Sequence, residues 1–223
     1  SALGQEMKPF ADRDEAGRFL GEALSDLDEA PGTGALVLGI PRGGVIVAAA
    51  GARVIGADLD VMVPAKIRAP HQPELAIGAV APDGGVWLDI AAVAALAIPD
   101  AVLDAQVSAA RQEVLRRTAA FRGERTPPAI AGRFVVLVDD GIATGATITA
   151  AARSLRAQEP ARLVVAVPVA PGQAVLQLAA EVDQVVCLAS PEPFMAVGQW
   201  YQDFRQVGDD AVRQALAATG GEP

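Results

Sequence analysis

The chain is poor in the residues that most often announce a function. Its 223 residues include one cysteine, Cys187, and one histidine, His71. A single cysteine excludes a disulfide framework within the chain and suits a reducing compartment. Inside 185-VVCLAS-190 it reads as a small buried strand residue. With one histidine and one cysteine there is no zinc-binding cluster. Aromatic residues make up 4%. Basic residues are outnumbered, 18 against 27 acidic, for a formal net charge of −9, and no basic run exceeds Arg116-Arg117. A nucleic-acid partner is disfavoured, because a phosphate backbone needs a basic footprint. No apolar run reaches the ~18 residues of a membrane span, and SALGQEMKPF lacks the layout of a signal peptide. The expectation is a cytoplasmic protein without a membrane partner.

What the chain has is apolar substance and glycine. Hydrophobic residues make up 52% and charged residues 20%, and there are 22 glycines. That composition supports a sizeable core, permits a homo-oligomeric interface, and excludes a mainly disordered chain. The segment 12-DRDEAGRFLGEALSDL-27 opens with a capping signature, Asp12 followed by Glu15, and continues as an amphipathic helix. The apolar run 35-ALVLGI-40 leads into 41-PRGG-44 and then a helix at 45–56. The run 59-LDVMVPAKI-67 follows as one further strand, which completes a β-α-β pattern. The stretches 74-ELAIGAV-80 and 86-VWLDI-90 read as a hairpin around 82-PDGG-85. A long helix is expected at about 100–122. Strands at 134–140, 162–169 and 184–189 then alternate with helices near 144–158, 172–180 and 208–218. The alternation predicts an α/β fold: an open, mostly parallel twisted sheet with helices on both faces. One domain spans 1–223, with an inserted hairpin and helix region at about 66–125 and a small C-terminal hood at about 190–223.

Ligands of such sheets bind outside the carboxyl ends of the strands. Two unusual loops lie there. In 135-VVLVDDGIATGATI-148 a buried strand runs into Asp139 and Asp140, then into Gly141, Ile142, Ala143, Thr144, Gly145, Ala146 and Thr147. Glycines let the backbone approach a ligand, and amides leading into a helix start form an anion site. The loop is neither a Walker A loop nor GxGxxG. Two carboxylates beside a phosphate loop repel phosphate unless they grip something else. Sugar hydroxyls or a metal ion would serve, and a phosphate with two hydroxyls close by describes a ribose 5-phosphate.

VVLVDDGIATGAT resembles the signature of the type I phosphoribosyltransferases. The pieces 39-GIPRGG-44, 71-HQPELAIGAV-80 and 198-GQWYQDF-204 extend the likeness to a branch of that family with no assigned substrate. The resemblance implies transfer of ribose 5-phosphate from phosphoribosyl pyrophosphate to a nitrogen nucleophile, usually a nucleobase, with release of pyrophosphate. Asp139 and Asp140 would hold the ribose hydroxyls and, indirectly through them or through water, Mg²⁺. Gly141 to Thr147 would hold the 5-phosphate. Pro41, Gly43 and Gly44 with the cation of Arg42 would hold pyrophosphate, in a loop whose peptide is often cis in the family. Lys66, Arg68 and His71, in the region of the family's mobile loop, would reach pyrophosphate. Phe194, Trp200 and Tyr201 would stack on the base from the hood. The competing reading is a non-catalytic regulator of the same fold that binds phosphoribosyl pyrophosphate or a nucleotide. Nothing in the hood distinguishes one base from another.

Overall fold

The computed structural model describes residues 8–80 and 85–219. Helix α1 (Arg13–Ser25) begins as its sequence predicts: the Asp12 carboxylate accepts the Glu15 amide at 2.9 Å. Glu15 reaches back to the Ala11 amide at 2.6 Å, one residue before the cap. Strand β1 (Leu36–Gly39) leads to helix α2 (Gly43–Ile55), which Gly56 closes in the left-handed conformation, and then to β2 (Asp58–Val61). Next come β3 (Ala65–Ala69), β4 (Gln72–Val80), β5 (Val86–Leu88), a short α3 (Ile90–Ala95) and the long α4 (Asp100–Arg122). The second half is β6 (Phe134–Val138), α5 (Ala146–Arg156), β7 (Arg162–Val169), α6 (Gly172–Ala179), β8 (Gln184–Ala189) and α7 (Asp209–Thr219).

Five strands form a parallel sheet in the order β2-β1-β6-β7-β8. Their near-continuous apolar sequences follow from burial on both faces. Leu36, Leu38, Val135, Leu137, Leu163 and Val165 face α5 and α6, meeting Ile148, Leu155 and Leu178. The alternate residues Val37, Val136, Val138, Val164 and Ala166 face α1, α2 and α7, meeting Leu20, Val45 and Leu216. The expected doubly covered sheet is present.

One expected strand is two. The run 59–67 is mostly apolar, yet β2 ends at Val61 and β3 begins at Ala65 in a different sheet. Pro64, three residues past the end of the edge strand β2, has no amide to donate to a ladder, and the chain leaves the parallel sheet there. Strands β3, β4 and β5 form a separate antiparallel sheet. The β4–β5 pairing gives the expected hairpin, and most of its turn, residues 81–84, lies outside the described residues. Helix α4 packs Val114 and partly buried Leu103 and Val107 against this sheet.

The insertion is tied back by a buried ion pair. Arg122, at the end of α4, donates from Nε to Asp60 Oδ2 at 2.8 Å, and its Nη2 lies 2.5 Å from the same oxygen, both side chains being under 10% exposed. Such a pair adds little net stability, but removing one partner strands a buried charge. Arg122→Ala is therefore expected to cost about 3–5 kcal/mol, whereas Asp60→Leu/Arg122→Met folds with nearly wild-type stability. Denaturant melts of the two variants decide it.

Candidate active site

The site is assembled where β1 and β6 end side by side. Gly39 pairs with Val138 in parallel register, and the Ile40 amide donates to the Val138 carbonyl at 2.9 Å. Each strand then opens a helix, α2 at Gly43 and α5 at Ala146. A helix N-terminus carries a positive dipole end and amides suited to an anion.

The two loops touch. A Cβ on Gly43 would lie 2.1 Å from Asp140 Oδ2, and one on Gly44 would lie 2.9 Å from both Cα and Oδ1 of Asp139. Only glycine lets the start of α2 lie against the acid pair. The Pro41–Arg42 peptide is cis. Arg42 itself is exposed and turned toward α7, with Nη1 3.2 Å from Asp209 Oδ1. An exposed pair of this kind is worth about 0–1 kcal/mol, so it does little to withhold Arg42 from a polyanion.

The acid pair is electrostatically strained. Burial, and after it the Asp140 carboxylate alongside, push the Asp139 carboxyl well above the usual carboxylate range. The hydrogen bond from the Asp140 amide to Asp139 Oδ1, 2.8 Å, pulls the other way, as does the positive charge of Arg13. Arg13 was not among the residues singled out from the sequence. Its Nε lies 2.9 Å from Asp140 Oδ2, across 127 residues of chain. An arginine in the first turn of a surface helix carries no signal of that role.

The loop from Gly141 to Thr147 is part anchor, part open surface. Ile142 is buried in the core, and its amide donates to the Val169 carbonyl at 3.0 Å. It therefore holds the loop down rather than facing a ligand, a correction to its expected part in binding. Gly141 lies against Val197, where a Cβ would come within 2.4 Å. Ala143, Thr144, Ala146 and Thr147 are exposed, and Gly145, at φ +82°, turns the chain into α5.

The hood residues divide. Phe194 and Trp200 are half-buried and stack on each other with ring centroids 6.4 Å apart. Tyr201 is buried between Phe10 and Phe204, at 5.6 and 5.0 Å, and its hydroxyl donates to the Asp140 carbonyl at 2.6 Å. Its ring is a pillar behind the acid pair and has no free face for a base, contrary to the stacking role expected of it. Burial, and less strongly the negative charge of Asp140, raise its phenol beyond the ordinary range, so it remains a donor.

Lys66 and Arg68 stand on β3, alternating with buried Ile67 and Ala69, and exposed His71 occupies the β3–β4 turn at φ +65°. Their sheet packs near α5, leaving a cleft of about 290 Å³ lined by Gly78, Trp87, Thr144, Gly145 and Arg153. Arg153 caps it, 4.2 Å over the Trp87 ring and paired with Glu181. The expected cations thus stand on a separate sheet that flanks α5.

A doubly covered parallel sheet with glycine-rich helix starts and an acid pair at the ends of adjacent strands defines an α/β protein with its candidate site at the carboxyl ends of β1 and β6. Residues 13–191 match the family model described as "Phosphoribosyl transferase domain", and the chain belongs to that family. Two Mycobacterium tuberculosis sequences are each 45% identical over 206 residues, covering 92% of this chain and 46% of their own length. One of them is named "Putative phosphoribosyl transferase Rv0571c". The chain spans about half the length of these curated relatives. The crystal structure of TT1426 from Thermus thermophilus superposes with a TM-score of 0.85 at 43% identity, over 96% of this chain and 100% of that one.

Proposed function

We propose that the domain transfers ribose 5-phosphate from phosphoribosyl pyrophosphate to a nitrogen nucleophile, of which a nucleobase is the expected kind, and releases pyrophosphate. The observation that carries the reading is the contact of the Gly43-Gly44 helix start with Asp139 and Asp140. On this reading the α2 start, the two carboxylates and the loop Gly141 to Thr147 would meet the pyrophosphate, the ribose hydroxyls and the 5-phosphate in the order in which those groups occur on the ligand. Amides at the start of α2, with Arg42, would receive the leaving group. Thr144, Thr147 and the amides of Ala143 to Thr147 would fix the 5-phosphate. Asp139 and Asp140 would grip the ribose hydroxyls and lie near the positive charge that develops at C1 as the bond to pyrophosphate breaks. Catalysis of this kind comes from positioning and charge stabilisation.

The residues present fit Mg²⁺ as a partner of the ligand rather than of the protein alone. Among the described residues no group of three or more His, Cys, Asp or Glu side chains stands together. Mg²⁺ commonly binds through one or two carboxylates plus substrate phosphates, keeping several waters. Asp139 and Asp140 would hold it indirectly, and when bound it offsets the negative charge of the departing pyrophosphate. No helix among the described residues is long and apolar enough to cross a membrane, and we read the domain as acting in the cytoplasm.

Calorimetric titration with phosphoribosyl pyrophosphate, with and without Mg²⁺, tests this directly. The expected result is metal-dependent binding, followed by pyrophosphate release with at least one member of a nucleobase panel. Absence of binding by the wild type would overturn the reading, while binding without turnover across the panel would favour a ligand-sensing regulator of the same fold.

A further inference from the structure

Arg13 makes three different contacts from one nearly buried guanidinium, its side chain being 11% exposed. Nε donates to Asp140 Oδ2 at 2.9 Å. Nη1 donates to the carbonyl of Arg205 at 2.8 Å. The flat face lies 4.0 Å above the centroid of Phe204. The first contact belongs to the ribose side of the crevice and the other two to the hood. Around it the hood is bound to the same place by further bonds. The Tyr201 hydroxyl donates to the Asp140 carbonyl, and Phe10 and Ala11, just before α1, pair with 200–203 through the bonds Phe10 N to Trp200 O, Gln202 N to Phe10 O and Asp203 N to Ala11 O, at 2.8–2.9 Å. Phe204 in turn packs on Gly198, where a Cβ would lie 2.8 Å from its ring. Val197, one residue earlier, closes on Gly141.

We propose that Arg13 is a positioning residue for the proposed reaction, one guanidinium that sets the Asp140 carboxylate against Gly43 and seats the hood on the same acid pair. A carboxylate has two oxygens, with room for about four hydrogen bonds. Arg13 takes Oδ2 on the side of Gly43, which fixes the direction in which the remaining lone pairs face the crevice. It also supplies a positive charge behind two carboxylates that must receive a polyanionic ligand. Because the same group carries Phe204 and the Arg205 carbonyl, a displacement of the acid pair moves the hood, and the reverse. Lysine cannot substitute in full: it is a point charge without the planar fork that meets a carboxylate, a carbonyl and a ring together.

The inference rests on the proposed function for its catalytic meaning, and the experiment separates the two. Hydrogen–deuterium exchange is followed in the ligand-free protein for Arg13→Gln, Arg13→Lys, Asp140→Asn and Arg13→Gln/Asp140→Asn. Arg13→Gln is expected to speed exchange in 139–142 and 199–206 together by about tenfold or more, with the rest of α1 unchanged. The double variant is expected to be no faster than the faster single one, because both changes remove one coupled contact. In parallel, Mg²⁺ and phosphoribosyl pyrophosphate are titrated into the same proteins. Arg13→Gln should bind about tenfold or more weakly, while Arg13→Lys, which keeps the charge, should stay within about threefold of wild type yet retain the fast hood exchange. Hood exchange unchanged in Arg13→Gln, or simple additivity in the double variant, would overturn the linkage. A wild type that fails to bind the ligand would overturn the proposed function, and the exchange data would still decide whether Arg13 couples hood and acid pair.

Discussion

Asp139→Asn is expected to melt at a higher temperature than the wild type and to bind phosphoribosyl pyrophosphate on the order of 10²-fold more weakly, with turnover falling alongside. The two effects share a cause. Burial and the neighbouring Asp140 raise the Asp139 carboxyl well above its usual value of 3.8 in the folded chain. The folded state therefore keeps this proton to higher pH than the unfolded state does. The stability linked to that proton is fully present below the ordinary carboxylate value and is lost as pH rises through the folded value, so above the ordinary carboxylate range the acid is a burden on the fold. Asparagine removes the burden and still accepts the Asp140 amide through its side-chain oxygen. Each kcal/mol so recovered raises the melting temperature by about 2–4 °C in a domain of this size. The advantage should vanish in melts run below the ordinary carboxylate range. Asp140→Asn should behave oppositely, because nearly buried Arg13 loses its ion-pair partner at 2.9 Å. Hydrogen bonds to charged groups are worth about 1.5–3 kcal/mol, so this variant should melt lower. Equal melting of wild type and Asp139→Asn at neutral pH would show that the acid pair carries no such strain.

The parts of the molecule that could be read in advance are those whose local pattern has one physical cause. Strands buried on both faces must be apolar almost without interruption, so 35–40, 162–169 and all but the last two residues of the expected 134–140 declared themselves. Gly43 and Gly44 were expected in a pyrophosphate loop, and the fold sets them against Asp140 and Asp139. Other features depend on partners far away in the chain. The run 59–67 is mostly apolar on either side of Pro64, so hydropathy could not reveal that the chain changes sheets. Ile142 sits inside a glycine-rich loop, and only the fold shows that its side chain belongs to the core. Tyr201 offers the same aromatic character to a base or to a core, and the Phe10 pairing that buries it spans almost the whole chain. Arg13 looks like any solvated residue of an amphipathic helix until Asp140 is placed beside it.

Gly43→Ala and Gly44→Ala are expected to fail in different ways, although the residues adjoin. At Gly43 the new methyl would meet the tip of a side chain, Asp140 Oδ2 at 2.1 Å, and then Arg13 Nε at 2.7 Å. Those atoms can swing aside, so the chain should fold with a loss of about 1–3 kcal/mol. The movement, however, displaces the carboxylate proposed to hold the ribose and pushes it away from Arg13. Binding of phosphoribosyl pyrophosphate should drop on the order of 10²-fold, since misplacing a reacting or gripping group by about 1 Å can cost that much. At Gly44 the methyl would meet backbone, Asp139 Cα at 2.9 Å and the Val138 carbonyl oxygen at 3.0 Å, as well as Asp139 Oδ1. Neither backbone atom can yield without parting α2 from the end of β6, between strands whose register is fixed by Gly39 opposite Val138. Gly44→Ala should therefore reach or exceed the top of the same range in lost stability, and its binding defect should follow from unfolding. Thermal melts paired with calorimetry separate the cases: Gly43→Ala keeps most of its melting temperature and loses its ligand, and Gly44→Ala loses melting temperature first. If Gly43→Ala bound the ligand as the wild type does, the Asp140 carboxylate would not be the group that holds it, and the contact between the two loops would be packing alone.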